Sequence, residues 1–455
     1  MQVLVFFFQA VPFLIAMGFG LLLPFLIWLF YWRFGAGLWA VALVYFLGVL
    51  FGENLPGIKL GIYLYPQDLI FVLIGAAALL RVLLLVKANL GIKMWFAFGA
   101  ILFASFAEGL VRNGTGAGVD FRAYYYLWVG ALYAMTFPMS VERVRSALVP
   151  FISLAFVTVF VVLYRWVVEL VPISTLLPLN GSWSDMPYRV VPSMQALLLG
   201  QMFVLATFFY ALHPWLASLR WLSAIWLFMV LGLQHRSVWL ATLTGLSASL
   251  YINRYAVATR RGQGIITVGI FAVLLAVFSM SGKFGSVSET IGSSAYRAVT
   301  LSDTAGERLY SWQALVGKVV DGGVKSIIMG QSFGSDNSRY SGEELSAKKI
   351  SYQAHNYYIQ TLLRTGFLGL GLFLAGALWV MSGLFKLRAD PEYGNAARAL
   401  FVLLAAQLAY YVPYGADYLQ AMLFGIAASF VMHVNRQADL VLAPADARRD
   451  MATAS

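Results

Sequence analysis

The residues best suited to chemistry lie in Gln353-Ala354-His355-Asn356, which runs directly into the apolar stretch YYIQTLLRTGFLGLGLFLAGALW. This reads as a histidine at the wet mouth of a membrane helix. Gly366 and Gly369 follow His355 by 11 and 14 residues. At 100° per residue both return to within about 20–40° of the histidine's face, roughly 16 and 21 Å deeper along the axis. Glycines so placed predict close approach of a neighbouring helix inside the bilayer. A histidine held at such a mouth is positioned, partly dry and tunable near neutral pH. Two arginines stand out beside it. Arg189 ends the loop from Ser182 to Tyr188, and Arg236 marks the tight outward turn Gln234-His235-Arg236-Ser237. A guanidinium fork binds two oxygens at once, so these residues suit an anion such as a diphosphate. The plainer alternative stands next to the histidine, an interfacial residue that is merely satisfied, while the two arginines are less easily dismissed. His213 and His433 take that plainer reading, and His235 borders Arg236.

Other ionisable groups in apolar runs are costly unless paired or wet, and their depths sort them. Asp68, Glu108, Arg112, Arg165, Glu169 and Asp417 fall near the outer ends of their runs. Glu108/Arg112 and Arg165/Glu169 are spaced for ion pairs within a helix. Asp68 and Asp417 read as interfacial. Arg364 lies near mid-depth, half a turn round from His355, and is expected to pair with a carboxylate or carbonyl of a neighbouring helix.

The elements that must hold these groups are membrane helices. Of the 455 residues, 61% are hydrophobic and 11% charged, with mean hydropathy +0.78. Such a chain is an all-α polytopic membrane protein. There is no cysteine, so disulfides and thiolate metal sites are ruled out. No His-x-x-His or clustered Asp/Asn pattern suggests a metal, and no Walker-type motif suggests an ATP-driven engine. The net charge of +11 reflects loop Lys/Arg and membrane-lipid headgroups better than nucleic acid.

Apolar runs predict spans near 3–31, 37–51, 62–80, 94–111, 123–139, 147–170, 191–212, 214–233, 237–253, 265–281, 355–382, 396–412 and 418–434, or about 12–14 helices. The first run is read as a span rather than a cleavable leader, with kinks at Pro12 and Pro24. This divides the chain into N-terminal helices (1–281), one long loop (282–354), C-terminal helices (355–434) and a polar, disordered tail (435–455). Alternate connections carry sixteen basic residues, from Arg33 through Arg81, Arg143, Arg220 and Arg388 to Arg449; the opposite short loops carry five. The richer side is therefore cytoplasmic, and His355 and the long loop face outward. Within that loop Thr304-Ala-Gly-Glu307 reads as a capping box. Leu309, Trp312, Val316 and Val319 form one apolar helix face ended by Gly322-Gly323, and Gly330–Gly334 is a tight turn. The polar stretch 335–352 reads as mobile. The amphipathic helix is expected to roof an outward cavity.

His355-Asn356, nine residues, then Gly366-Phe-Leu-Gly369 resembles the His-[Asn/Ser/Gln]-x9-Gly-x-x-[Gly/Thr/Tyr] pattern of O-antigen ligases. Arg308-x-x-x-Trp312, Gly330-x-x-x-Gly334 and QHRSVWLATLTGL resemble further segments of that family, so the likeness covers roughly 185–385. The superfamily also holds O-antigen and exopolysaccharide polymerases, which the histidine pattern separates poorly from ligases. The resemblance implies a GT-C-like, inverting, metal- and cofactor-independent glycosyltransferase in the bacterial inner membrane with its active site facing the periplasm. The implied donor is an undecaprenyl-diphosphate-linked glycan, and the acceptor is lipid A–core or a growing glycan. It further implies that His355 is the general base or orienter, that Arg189, Arg236 and Arg308 bind the diphosphate, and that Asn356, Gly366 and Gly369 support them. The rival reading from the residues alone is a secondary transporter or flippase, which predicts a coupling carboxylate at mid-depth and two-fold internal symmetry. A non-catalytic scaffold leaves the outward clustering of charge without a purpose.

Overall fold

The computed structural model describes residues 22–52, 57–60, 62–86, 89–170, 189–253, 304–340, 349–350 and 354–442. The expected span 265–281, the beginning of the first run with Pro12, the loop 182–188 and the tail beyond 442 lie outside them. The described chain is almost wholly helical: α1 (Leu22–Trp32), α2 (Phe34–Phe51), α3 (Pro66–Leu84), α4 (Leu90–Asn113), α5 (Thr115–Met135), α6 (Val141–Leu170), α7 (Ser193–Phe208), α8 (Pro214–Leu219), α9 (Ser223–Gly232) and α10 (Arg236–Ile252). The loop helices α11 (Thr304–Asp321) and α12 (Gly323–Met329) follow, then α13 (Tyr357–Leu387), α14 (Gly394–Tyr410) and α15 (Tyr418–Leu442). Two two-stranded antiparallel hairpins, Ile58–Leu60 with Ile62–Leu64 and Arg339–Tyr340 with Lys349–Ile350, complete it. Among the described residues six helices are long and apolar enough to cross a membrane: α2, α3, α4, α6, α13 and α15. The last helix runs on to Leu442, past the boundary expected at 434.

Burial sorts these helices into a centre and a rim. α5 and α15 form the centre, packed so closely that a Cβ at Gly425 would overlap the Ala131 carbonyl. α2, α3 and α4 form part of the rim, with Trp39, Leu43, Val72, Leu83 and Val111 exposed, as expected of helices whose outer face meets lipid. Polar pairs set the register of the centre. The indole nitrogens of Trp95 and Trp128 each donate to the other's carbonyl, at 2.9 and 3.0 Å. The amides of Gln201 and Gln420 exchange two hydrogen bonds at 2.8 and 2.9 Å. In an apolar interior such mutual satisfaction removes the cost of two buried polar groups.

α13 departs from the expected continuous helix. Gly366 has φ +64 and ψ −170, a conformation reserved for glycine, and breaks it into 357–365 and 367–387. A Cβ there would overlap the carbonyl of Ile328, and one on Gly330 would overlap the backbone of Arg364 and Thr365. These glycines therefore admit the long loop, not a neighbouring membrane helix, and the single helical wheel drawn through His355, Gly366 and Gly369 does not hold. Gly369 faces back onto Thr365 of its own chain. The carbonyls freed by the break find partners elsewhere: Leu363 O accepts from Gln331 N at 2.6 Å, and Arg364 O from the Ser105 hydroxyl at 2.7 Å. The 21 residues after the break suffice alone to span about 31 Å. The nine before it are packed between the loop and the bundle.

Candidate active site

Asn356 explains the placement of His355. Its side chain accepts from Ile359 N at 3.0 Å and caps α13, which is why a short polar residue suits the position after the histidine. Tyr357 N is drawn to the carbonyls of Tyr411 and Tyr414, each at 2.9 Å. His355 is thus fixed one residue ahead of the cap, beside the turn that links α14 and α15. Its ring lies 5.4 Å from that of Tyr414, tilted by 30°.

The loop closes over this point. α11 buries Leu315 and Val319 against Ala354, Leu362 and Leu363, with Trp312 and Val316 alongside. The expected apolar face is rotated: Leu309 is exposed, and Leu315 takes the centre. Its first turn delivers Arg308, whose guanidinium donates to Pro413 O at 3.2 Å, next to Tyr414. The stretch expected to be mobile contributes a fixed charge. Arg339 is buried, and it donates to the Ser311 hydroxyl and to Asn337 O. Arg308 and Arg339 both act on His355. Burial first, then these two cations, hold the imidazole's pKa down at about 4. The ring is therefore neutral at physiological pH, and a weaker base than its unperturbed value near 6.5 suggests.

Arg189 and Arg236 meet at the start of α10. Arg189 donates to Gln234 O at 3.2 Å, and His235 is hydrogen-bonded to Val191 O at 2.9 Å. Burial, and secondarily Arg189, lower the His235 pKa to about 4. Gln234 is buried with φ +52, the one non-glycine in the left-handed region among the described residues. Strain of that kind is kept where the surroundings enforce it. Here it turns the chain so that Arg236 opens α10, and the Arg236 Nε is buried with no hydrogen-bond partner among the described residues. Four residues beyond Arg189, the Ser193 hydroxyl lies 2.6 Å from the Tyr410 hydroxyl, and the Tyr410 ring lies 5.4 Å from Tyr414. Ser193, Tyr410 and Tyr414 thus join the arginine turn to His355. All the predicted residues but the glycines gather at one end of the bundle.

Arg364 is fully buried and forms an ion pair with Asp120 at 2.7 Å. It also donates to Ser332 O, Ser335 and Asn337. The carboxylate partner expected for Arg364 is therefore real, and its further role is to clamp the loop that carries Arg339. Glu108 pairs with Arg112 at 2.9 Å as expected, and also with Lys325 of α12 at 2.6 Å. Arg165 donates to Val190, Val49 and Leu50 carbonyls; the side chain of Glu169 lies outside the described residues. Asp68 caps α3 and meets Arg122 at 3.1 Å. Asp417 is buried rather than interfacial. Burial raises its pKa to about 7, against the Tyr418 and Leu419 amides and the Tyr45 hydroxyl, which lower it. Asp120 and Arg339 were missed by reading the sequence, since Asp120 precedes the apolar run expected from 123 and Arg339 lies in the polar stretch 335–352.

Residues 221–374 match the family described as O-Antigen ligase. No curated protein matches the chain. The matched segment begins before α9 and ends eight residues after the break at Gly366, so it takes in Arg236, the loop helices and His355 beside its helix cap, but not Arg189. Over this segment, which carries Arg236, Arg308 and His355, the chain is similar to the O-antigen ligase family.

Proposed function

We propose that this protein transfers a glycan from undecaprenyl diphosphate to a sugar hydroxyl, and that the acceptor is lipid A–core. The observation that carries the reading is a neutral, half-buried imidazole flanked by Arg308 and Arg339 and joined through Tyr414 and Tyr410 to the turn of Arg189 and Arg236. The match of residues 221–374 to the O-antigen ligase family supports glycan transfer in O-antigen or polysaccharide biosynthesis. In the step, the acceptor oxygen bonds to the anomeric carbon from the face opposite the diphosphate. The anomeric C–O bond breaks, and its electron pair leaves on the diphosphate. The hydroxyl proton passes to a ring nitrogen of His355. A diphosphate departs as an anion and needs fixed cations rather than an acid, which Arg236, Arg308 and Arg189 provide. The activated donor supplies the driving force, and the reaction needs no divalent ion.

Donor binding also bears on the base. Arg308, one of the cations assigned to the diphosphate, also depresses His355, after burial and together with Arg339. A diphosphate held by Arg308 offsets that part of the field and raises the ring's basicity. Deleting the gene and analysing the surface glycans tests the assignment. Ligation predicts loss of long surface chains with polymer accumulating on the lipid carrier. Single repeat units on the carrier would assign polymerisation by the same chemistry, and unchanged glycans would refute both.

A further inference from the structure

A cavity of about 720 Å³ opens where α1 gives way to α2, beside the first turn of α6. It lies at the opposite end of the bundle from His355. α6 carries Arg143 at the cavity and, 22 residues on, Arg165, which reaches Val190 beside Arg189; that separation is roughly 33 Å along a helix.

The cavity is built, not incidental. The chain breaks at Arg33, and the carbonyls this frees are taken by buried groups. Tyr133 donates its hydroxyl to Phe30 O at 3.0 Å, and Arg81 donates to Tyr31 O at 2.6 Å; Arg81 also reaches Thr136 O at the end of α5, at 3.1 Å. Arg81 also lies 3.7 Å over the Phe137 ring, which lines the cavity. The break is thereby fixed with Arg33 and Arg143 both lining the opening. Glu142, the acidic neighbour, acts on Tyr393 and does not line it. Trp32 and Trp39 form its flanks and are 56% and 48% exposed. From each an apolar strip continues one helical turn away, to Trp28 on α1 and Leu43 on α2, both 57% exposed. Tryptophan at the headgroup level is the usual border of a membrane-embedded surface.

We infer that this cavity binds an anionic phospholipid, with its phosphate between Arg33 and Arg143 and its acyl chains along the Trp32–Trp28 and Trp39–Leu43 strips. Two guanidiniums select a phosphate. The exposed apolar strips select a lipid over a soluble phosphate, which has nothing to lay against them.

Native mass spectrometry of the full chain, released from detergent with equal amounts of phosphatidylglycerol and phosphatidylcholine, tests this. The wild type is expected to retain phosphatidylglycerol preferentially. Arg33→Gln and Arg143→Gln each weaken that retention about fivefold, the usual worth of one surface cation against an anionic lipid. Ser146→Trp, which intrudes on the cavity without changing charge, weakens it, and Lys93→Gln on α4 leaves it intact. Equal retention of the two lipids, an equal loss in Lys93→Gln, full retention in Ser146→Trp, or displacement of the lipid by millimolar inorganic phosphate would each overturn the inference.

Discussion

His355 stands outside its helix, one residue before the cap, and this governs its titration. Its pKa is about 4, so kcat/KM, which reports the free enzyme, should show no acid limb from this group between pH 5 and 8. An acid limb near 6.5 in kcat/KM would contradict the electrostatic account. The same shift has a stability consequence. The folded pKa is depressed, so the contribution is full above the unfolded value near 6.5 and is lost as pH falls through that value toward 4. His355→Ala should reduce transfer by about 10²–10⁴, while His355→Gln tells a proton acceptor from an orienting donor by the fraction it restores. Arg236→Gln should raise the KM for donor by about 10–100-fold through loss of charged hydrogen bonds to the diphosphate. The histidine was legible because its spacing to two glycines is a pattern. Arg339 was not, because only the folded loop brings it to the ring.

At the scale of elements, the break at Gly366 is what lets the loop reach the site. The sequence expectation placed Gly366 at a helix–helix contact, since glycine in an apolar run signals close approach without saying of what. Backbone conformation decides it: φ +64 ends the helix and seats Ile328–Gly330 against the break. Gly366→Ala should therefore destabilise the fold by about 1–3 kcal/mol from backbone strain alone, with further cost from overlap with the Ile328 carbonyl. Limited proteolysis near 330–340 should reveal the loosened loop before global unfolding. Arg364→Ala strands the Asp120 carboxylate in the interior and should cost about 3–5 kcal/mol. Combining it with Asp120→Ala should cost less than the sum of the single changes, measured in one unfolding cycle. The amphipathic α11 was legible from its periodicity, but its face turned out rotated toward Leu315, because the partner surface of Ala354, Leu362 and Leu363 could not be read from α11 alone.

For the whole molecule, composition gave a helical membrane protein, and hydropathy placed most of the described helices to within a few residues. Hydropathy does not weigh tertiary partners, so the loop's insertion against 357–365 and the central position of α5 and α15 emerged only from packing. The charge bias between connections predicts which end faces out. Because the chain has no cysteine, single introduced thiols test it cleanly. Asp336→Cys, at an exposed side chain of the loop, should react with a membrane-impermeant maleimide in intact spheroplasts. Ala389→Cys, exposed between α13 and α14, should react only after lysis. The reverse pattern would invert the topology and place His355 on the wrong side for an outer-leaflet donor. The most direct test of the chemistry is reconstitution in proteoliposomes with a defined glycan on undecaprenyl diphosphate and a lipid A–core acceptor, with chelator present. The account predicts glycosylated acceptor from the wild type, and product reduced by orders of magnitude in both His355→Ala and Arg236→Gln inserted at equal levels. Wild-type rates in both variants, or a requirement for added divalent metal, would contradict it.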